Sequence, residues 1–197
     1  MKGTERAELA LAGLKTGLAS KTGEKLWSVC AQAPMPAHMR IAIASDHAAT
    51  EMKAQLAEWL MDLGHEVADL GTEPGHSVDY PDYGYRLAEV IAEGTVQYGV
   101  ALCGSGIGIS MSANRHPAVR CALVSEPVSA GLAREHNDAN CIALGARLIG
   151  IEMAKSCVTT FLSTEFADAD EPEGRHRRRV AKLGTPPNLP DHIETHQ

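Results

Sequence analysis

The sequence predicts an open, Rossmann-like α/β/α sandwich: three layers built on a five-stranded parallel sheet. Three observations lead there. From Arg40 onward, short apolar runs alternate with segments of helical periodicity. The runs are apolar at successive positions, the pattern of strands covered on both faces. Each run is bounded by Gly, Asp, Ser or Pro, residues that end a strand. Strict alternation of strand and helix implies right-handed crossovers with helices on both sides of the sheet. Strand order does not follow from the pattern.

The elements follow in order. Residues 1–38 mix Ala, Gly, Lys and Thr, end in Ala33-Pro34-Met35-Pro36-Ala37-His38 and precede a second methionine, Met39. They read as a poorly ordered or weakly helical extension: a presequence, an upstream start or a cloning remnant. Arg6 is its only arginine, a weak match to a transit peptide. Strands are expected at Arg40–Ser45, Glu66–Leu70, Tyr98–Leu102, Arg120–Val124 and Cys141–Leu144. Helices are expected at Thr50–Leu63, Tyr83–Glu93, Ile107–Asn114, Val128–Glu135 and Ile151–Leu162. In the first helix Leu56, Trp59, Leu60 and Leu63 recur at helical spacing, which makes Trp59 a core residue. Asp79-Tyr80-Pro81-Asp82-Tyr83 reads as a turn. After the acidic stretch Asp168, Asp170, Glu171 and Glu173, the basic segment Arg175–Lys182 reads as a short helix, and the tail from Gly184-Thr185-Pro186-Pro187 as disordered. The expected organisation is an extension at 1–38, one domain at 39–184 and a tail at 185–197.

Composition narrows the function. The chain has 197 residues, 44% hydrophobic and 22% charged, enough to bury a core and too apolar for wholesale disorder. A net charge of −7 argues against a general nucleic-acid binder, and 4% aromatic content leaves little for base stacking. Five cysteines, an odd number without a CxxC pair, read as reduced thiols of a cytoplasmic protein. No HExxH or other compact spacing among the nine histidines points to a metal. Apolar stretches stop well short of the ~18 residues of a membrane span, so the chain is expected to be soluble. Against this acidic background stands one dense cationic run, Arg175, Arg177, Arg178 and Arg179 with His176 among them. It suggests a local anionic partner.

Ligands of open α/β sheets bind at the carboxyl ends of the strands, so the residues that follow each strand carry the functional information. These are Asp46-His47, then Cys103-Gly104-Ser105-Gly106-Ile107-Gly108, then Ser125-Glu126-Pro127, then Gly145-Ala146-Arg147. The helix after the fourth strand ends in His136-Asn137-Asp138. Glycines at alternate positions between strand and helix form either an anion nest or a tight βα turn. Cys103 is either a thiolate nucleophile or base at a helix N-terminus, or a buried small hydrophobe, the reading preferred for Cys121, Cys141 and Cys157. Asp46 with His47 is an acid/base pair or a helix cap; His136 with Asn137 is a functional or an ordinary C-terminal pair. Arg175 and Arg179, four apart, share one side of a helix at a spacing suited to a phosphate, which turns Arg177 and Arg178 toward solvent.

Taken together, Asp46-His47, Asp79-Tyr80-Pro81, Cys103-Gly-Ser-Gly-Ile-Gly-Ile-Ser, Ser125-Glu-Pro, Arg134-Glu-His136-Asn137-Asp-Ala-Asn140, Gly145-Ala-Arg147 and Gly174-Arg175-His176 with Arg179 closely resemble the ribose-5-phosphate isomerase B family, part of the wider group that includes galactose-6-phosphate isomerase. The match runs in unbroken order from about Met39 to about Leu183. The resemblance implies cofactor-free and metal-free aldose–ketose isomerisation of a sugar phosphate through an enediolate, in a homodimer or dimer of dimers with shared active sites. It implies Cys103 as the base between C1 and C2. Ser105, where the family commonly has threonine, would handle proton exchange at the sugar oxygens. Gly104, Gly106 and Gly108 would be backbone donors to the enediolate. Asp46 and His136 would open the ring, Asn137 would position the substrate, and Tyr80 would line the pocket. His47, Arg147, Arg175 and Arg179 would hold the phosphate. Several of these, notably Asn137 and the arginines, would come from the neighbouring subunit. Ribose 5-phosphate of the pentose phosphate pathway is the expected substrate, with allose 6-phosphate or galactose 6-phosphate as alternatives. The family's members usually begin at the first strand, so residues 1–38 depart from its pattern.

Two rival readings remain on the residues. Glu126, about twenty residues beyond the glycine loop at a strand end, imitates the ribose ligand of an NAD-dependent oxidoreductase. Position 109 is isoleucine where GxGxxG needs glycine, and the loop follows the third strand instead of the first. The arginine run could alternatively be a nucleic-acid or partner-docking tail, which its acidic neighbours oppose.

Overall fold

The computed structural model describes Pro36 and residues 38–183. Five strands form one all-parallel sheet: β1 (Arg40–Ser45), β2 (Glu66–Asp69), β3 (Tyr98–Cys103), β4 (Cys121–Leu123) and β5 (Cys141–Gly145), in the order β2-β1-β3-β5-β4. The helices are α1 (Thr50–Asp62), α2 (Tyr80–Ala92), α3 (Ile107–Ala113), α4 (Pro127–Asn137), α5 (Ile151–Ser163) and α6 (Arg175–Ala181). This is the expected three-layer α/β/α fold.

Side chains alternate across a strand, and here the alternation sorts them by size. One face of the sheet carries Ile41, Ile43, Val100, Leu102, Ile142 and Leu144, all fully buried against Leu56 and Leu60 of α1, Ala130 of α4, and Val158 and Phe161 of α5. The other carries Ala42, Ala44, Ala101 and Ala143 with Cys103 and Cys141, and it packs on Leu87 and Ile91 of α2 and on Ile109 and Ala113 of α3. A layer of methyl and thiol groups lets α2 and α3 lie close to the strands whose ends they share.

Several boundaries differ from expectation. α2 begins at Tyr80, three residues before the expected start, because Pro81 occupies the first turn, where its missing N–H has no partner to lose. The Asp79–Tyr83 segment is therefore a helix start with Asp79 as N-cap, although its carboxylate makes no capping bond. Strand β4 is trimmed to Cys121–Leu123, since it is an edge strand paired only with β5. Trp59 sits half-buried at the rim of the core beneath the Lys155 ammonium, and Leu63 is exposed just past the helix end. Lys53 is buried and pairs with both oxygens of Asp69 at 2.6 and 2.7 Å, tying α1 to β2. The expectations for residues 1–35, for Cys30 and for the tail from Gly184 lie outside the described residues. No described helix is long and apolar enough to cross a membrane.

Candidate active site

Adjacent strands β1 and β3 send their outgoing connections to opposite faces, α1 to one and α3 to the other, and a crevice opens at such a switch point. A cleft of about 380 Å³ occupies it, lined by Asp46, His47, Ala48, Tyr80, Cys103, Gly104, Ser105, Gly108, Arg147 and Leu148. Eight of the thirteen expected site residues thus meet in one chain, because a parallel sheet gathers its strand ends on one edge. Ala48 and the two-thirds exposed Leu148 were not anticipated; flanking Asp46-His47 and Arg147 in sequence was the only signal they gave.

The glycine loop is shaped by close approaches. Gly106 is the N-cap of α3 in the left-handed region, φ 77°, and a Cβ there would stand 2.6 Å from Leu123 Cδ1 and 2.9 Å from the Leu144 carbonyl carbon. That conformation turns the Gly106 amide back onto Cys103, where it donates to Sγ at 3.0 Å. Gly106 therefore faces the thiol and not the cleft, unlike the enediolate donor it was expected to be. The amides of Gly104, Ser105 and Gly108 make no hydrogen bond among the described residues and stay open to a ligand. Ser105 Oγ accepts from the Ile107 amide at 3.3 Å. The Tyr80 ring lies over Gly108, and the Arg147 side chain lies over Gly104 at van der Waals distance from a would-be Cβ. Cys103 itself is buried, 4% exposed, at the floor of the cleft.

Across the cleft, Asp46 is buried and accepts the Ala48 amide at 2.9 Å, leaving its second oxygen free of protein partners among the described residues. His47 is exposed, and its Nδ1 lies 3.1 Å from the Val78 carbonyl and 3.3 Å from the Val78 amide. Either contact leaves Nε2 for a ligand.

The remaining expected residues stand elsewhere. α4 runs back from the carboxyl edge, so His136 and Asn137 at its end lie at the amino edge of the sheet, away from Asp46 and Cys103 of the same chain. Asn137 lines a second groove of about 390 Å³ with Asn114, Arg120 and Leu183. α6 packs against this end of α4, where His176 stacks on His136 with ring centroids 4.4 Å apart and planes 8° apart. Asp168 caps α6, accepting the amides of His176 at 2.6 Å and Arg177 at 3.0 Å. The Arg177 amide, helped by that of His176 and by nearby cations, outweighs burial and holds the Asp168 carboxyl below the usual carboxylate range. Arg177 does not point to free solvent: its guanidinium donates to the carbonyls of Asp168, Ala169 and Glu171 and lies 5.9 Å from the Phe166 ring. Arg175, Arg178 and Arg179 are exposed, and Arg175 Nε donates to His176 Nε2 at 3.1 Å. Burial, then His136 and Arg175, lowers the His176 pKa against the opposing pull of Asp168.

Glu126 is the N-cap of α4 and accepts the amides of Val128 at 2.6 Å and Ser129 at 2.7 Å. Burial raises its pKa, but these hydrogen bonds win and hold the carboxyl low. Both oxygens are engaged by its own helix, which removes the acidic ribose ligand that the dinucleotide reading needs. Burial pushes the Cys157 thiol up to about 11, with the Glu126 charge adding to it, and drives Cys141 up beside Cys121. Both thiols lie fully buried in the core. No cluster of metal-ligating side chains occurs among the described residues.

The model of the Ribose/Galactose Isomerase family matches residues 41–183. Ribose-5-phosphate isomerase B of Escherichia coli is 39% identical over 144 residues, which cover 73% of this chain and 93% of that protein. D-erythrulose-4-phosphate isomerase of Pectobacterium atrosepticum is 38% identical over 160 residues, 81% of this chain and 99% of that one. Among solved structures, a ribose 5-phosphate isomerase of Thermotoga maritima superimposes with a TM-score of 0.70 at 46% identity, covering 74% of this chain and 97% of its own.

Proposed function

Because the chain belongs to the ribose/galactose isomerase family of sugar-phosphate isomerases, we propose that it interconverts ribose 5-phosphate and ribulose 5-phosphate. The observation that carries this reading is the floor of the cleft: a buried cysteine whose sulfur receives an amide hydrogen bond, set beside amides with no protein partner. A base next to oxyanion donors is what an enediolate requires.

In the first stage the furanose opens. The C1–O4 bond breaks with its electron pair going to O4, which takes a proton, while O1 gives up its proton and becomes the aldehyde oxygen. Asp46 and His136 exchange these two protons. In the second stage Cys103, as thiolate, removes the proton from C2; the C1–O1 π electrons move onto O1, and a C1–C2 double bond forms. The amides of Gly104, Ser105 and Gly108 hold the oxyanion. Ser105 relays the O2 proton to O1, the O2 electrons form the C2 carbonyl, and C1 takes back the proton from Cys103. Tyr80 walls the sugar pocket, Asn137 orients the substrate, and His47, Arg147, Arg175 and Arg179 hold the dianionic phosphate.

These roles imply a shared site. His136, Asn137, Arg175 and Arg179 sit at the amino edge of their own sheet, so they serve the cleft of a second copy in a homodimer or a dimer of dimers. Ile107, Met111 and Leu123, about half exposed beside the glycine loop, support this by offering an apolar surface for that copy. Buried, unpaired cysteines support a cytoplasmic setting.

The test is a panel of ribose 5-phosphate, allose 6-phosphate and galactose 6-phosphate with the native enzyme and Cys103→Ala. Ribose 5-phosphate should give the highest kcat/KM, and the variant should bind it without turning it over. Preference for a hexose phosphate would move the substrate assignment; activity intact in the variant would remove the cysteine mechanism.

A further inference from the structure

The mechanism uses His136 but leaves its neighbour His176 without a task, although the geometry singles it out. α6 is otherwise exposed along Arg175 and Arg177–Arg179, whereas His176 is only 7% exposed. Its backbone is held at one point and its ring at two. Asp168 holds its main-chain amide at 2.6 Å, Arg175 Nε donates to its Nε2 at 3.1 Å, and its face lies flat on His136 at 4.4 Å. An arginine is always a donor, so Nε2 must accept; this selects the neutral tautomer with the proton on Nδ1. His136 has no such restraints. Its ring makes no hydrogen bond among the described residues, and its nearest carboxylate, on Glu135, is 3.9 Å away, beyond hydrogen-bonding range. The stack is what orients it.

We propose that His176 is a positioning residue for ring opening: its imidazole, anchored by Arg175 and by the Asp168-capped backbone, holds the His136 ring in the plane from which it exchanges a proton with the cyclic sugar. The inference rests on the assignment of His136 to ring opening. It also couples the two functions of α6. Arg175, proposed to grip the phosphate, is the same residue that pins the ring behind His136, so phosphate binding and alignment of His136 draw on one side chain. The charged groups around the pair are Arg175 and Arg179 of α6, Asp168 before it and Glu135 of α4.

The experiment compares a substrate that must be opened with one that has no ring to open. Ribose 5-phosphate is largely a furanose; D-erythrose 4-phosphate carries its phosphate on the oxygen that would close a five-membered ring and stays open. His176→Ala should lower kcat on ribose 5-phosphate by ~10- to ~100-fold, the scale of a misplaced catalytic group, and leave kcat on the tetrose within a few-fold. His176→Phe keeps a flat ring against His136 and should restore most of the lost kcat, while both variants raise KM for both substrates because Arg175 has lost its acceptor. Melting temperatures check that the variants fold. Equal losses on the two sugars, or no rescue by Phe in a folded variant, would make His176 a packing residue and overturn the proposal; if the tetrose is not turned over, the contrast between Phe and Ala decides alone. His136→Ala separates the levels. If it costs ribose 5-phosphate turnover and His176→Ala does not, only the present inference fails. If His136→Ala is itself without effect, the ring-opening assignment fails and takes this inference with it.

Discussion

Gly108→Ala is a substitution that ordinary helix energetics favours and this cleft opposes. Gly108 lies in the first turn of α3 with an unremarkable backbone, where alanine gains about 1 kcal/mol over glycine. The new Cβ, however, would stand 2.6 Å from two atoms of the Tyr80 ring and 3.0 Å from a third. Overpacking of that kind costs about 1–3 kcal/mol, and Tyr80, 43% exposed, can relieve it by swinging outward, which places the cost at the lower end. The two effects nearly cancel, so melting temperature should fall by no more than ~4 °C, with ~1 kcal/mol corresponding to ~2–4 °C for a chain of this size. The cleft should suffer more, because its tyrosine wall has moved: KM for ribose 5-phosphate should rise severalfold. A double-mutant cycle isolates the contact. In a Tyr80→Ala background the same Gly108→Ala change should raise the melting temperature by ~2–4 °C, measured by scanning calorimetry at fixed protein concentration, which the melting point of the proposed homodimer would depend on. If the alanine destabilises both backgrounds alike, the ring is not what it meets, and the reasoning is refuted.

Other outcomes follow from the same geometry. Cys103→Ala should lower kcat by ~10²- to ~10⁴-fold with KM nearly unchanged, as seen in ketose formation under saturating substrate; a loss carried by KM would make the thiol a binding group. Asp168→Ala removes the cap of α6 and should raise KM for phosphorylated sugars and, by loosening His176, also lower kcat on ribose 5-phosphate; unchanged KM would detach α6 from phosphate binding. His65 is buried with neither ring nitrogen hydrogen-bonded among the described residues, and burial first, then His38, lowers its pKa. The unfolded chain therefore binds a proton there more readily than the folded one. The folded state should lose stability as pH falls through ~6.5, and denaturant midpoints of His65→Gln should flatten over that range. An equally steep loss in the variant would assign the pH dependence to other groups. Inorganic phosphate should raise the melting temperature and NAD should not; stabilisation by NAD would revive the dinucleotide reading despite the engaged Glu126.

The fold was legible because β/α alternation is a local signal: strands β1 and β3 and helices α1 and α3 end within a residue of expectation, since Gly, Asp or Asn marks them in the chain. The start of α2 is hidden because Pro81 signals a turn and a helix start with equal force. The cleft was legible because residues after parallel strands must converge. What stayed hidden depends on contacts distant in sequence. Nothing local shows that the Gly106 amide turns onto sulfur, that Lys53 enters the interior to meet Asp69, or that Arg177 braces three carbonyls instead of facing water. The separation of His136 and the α6 arginines from Asp46 follows from topology, which a list of motifs in order does not encode.

The unequal faces of the sheet make the two halves of the interior fragile in opposite ways. Behind Ile41, Leu102 and Phe161, a mutation fails by leaving a hole; behind Ala42, Ala101 and Ala143, there is almost nothing to remove, and a mutation fails by swelling. The second layer is the one beneath α2 and α3, whose first turns carry Tyr80 and Gly108 into the cleft. Each added methylene there lifts those turns away from the strand ends. Variation in this protein is therefore asymmetric: the aliphatic layer sets how stable the enzyme is, and the alanine layer sets how well its catalytic groups stay in register.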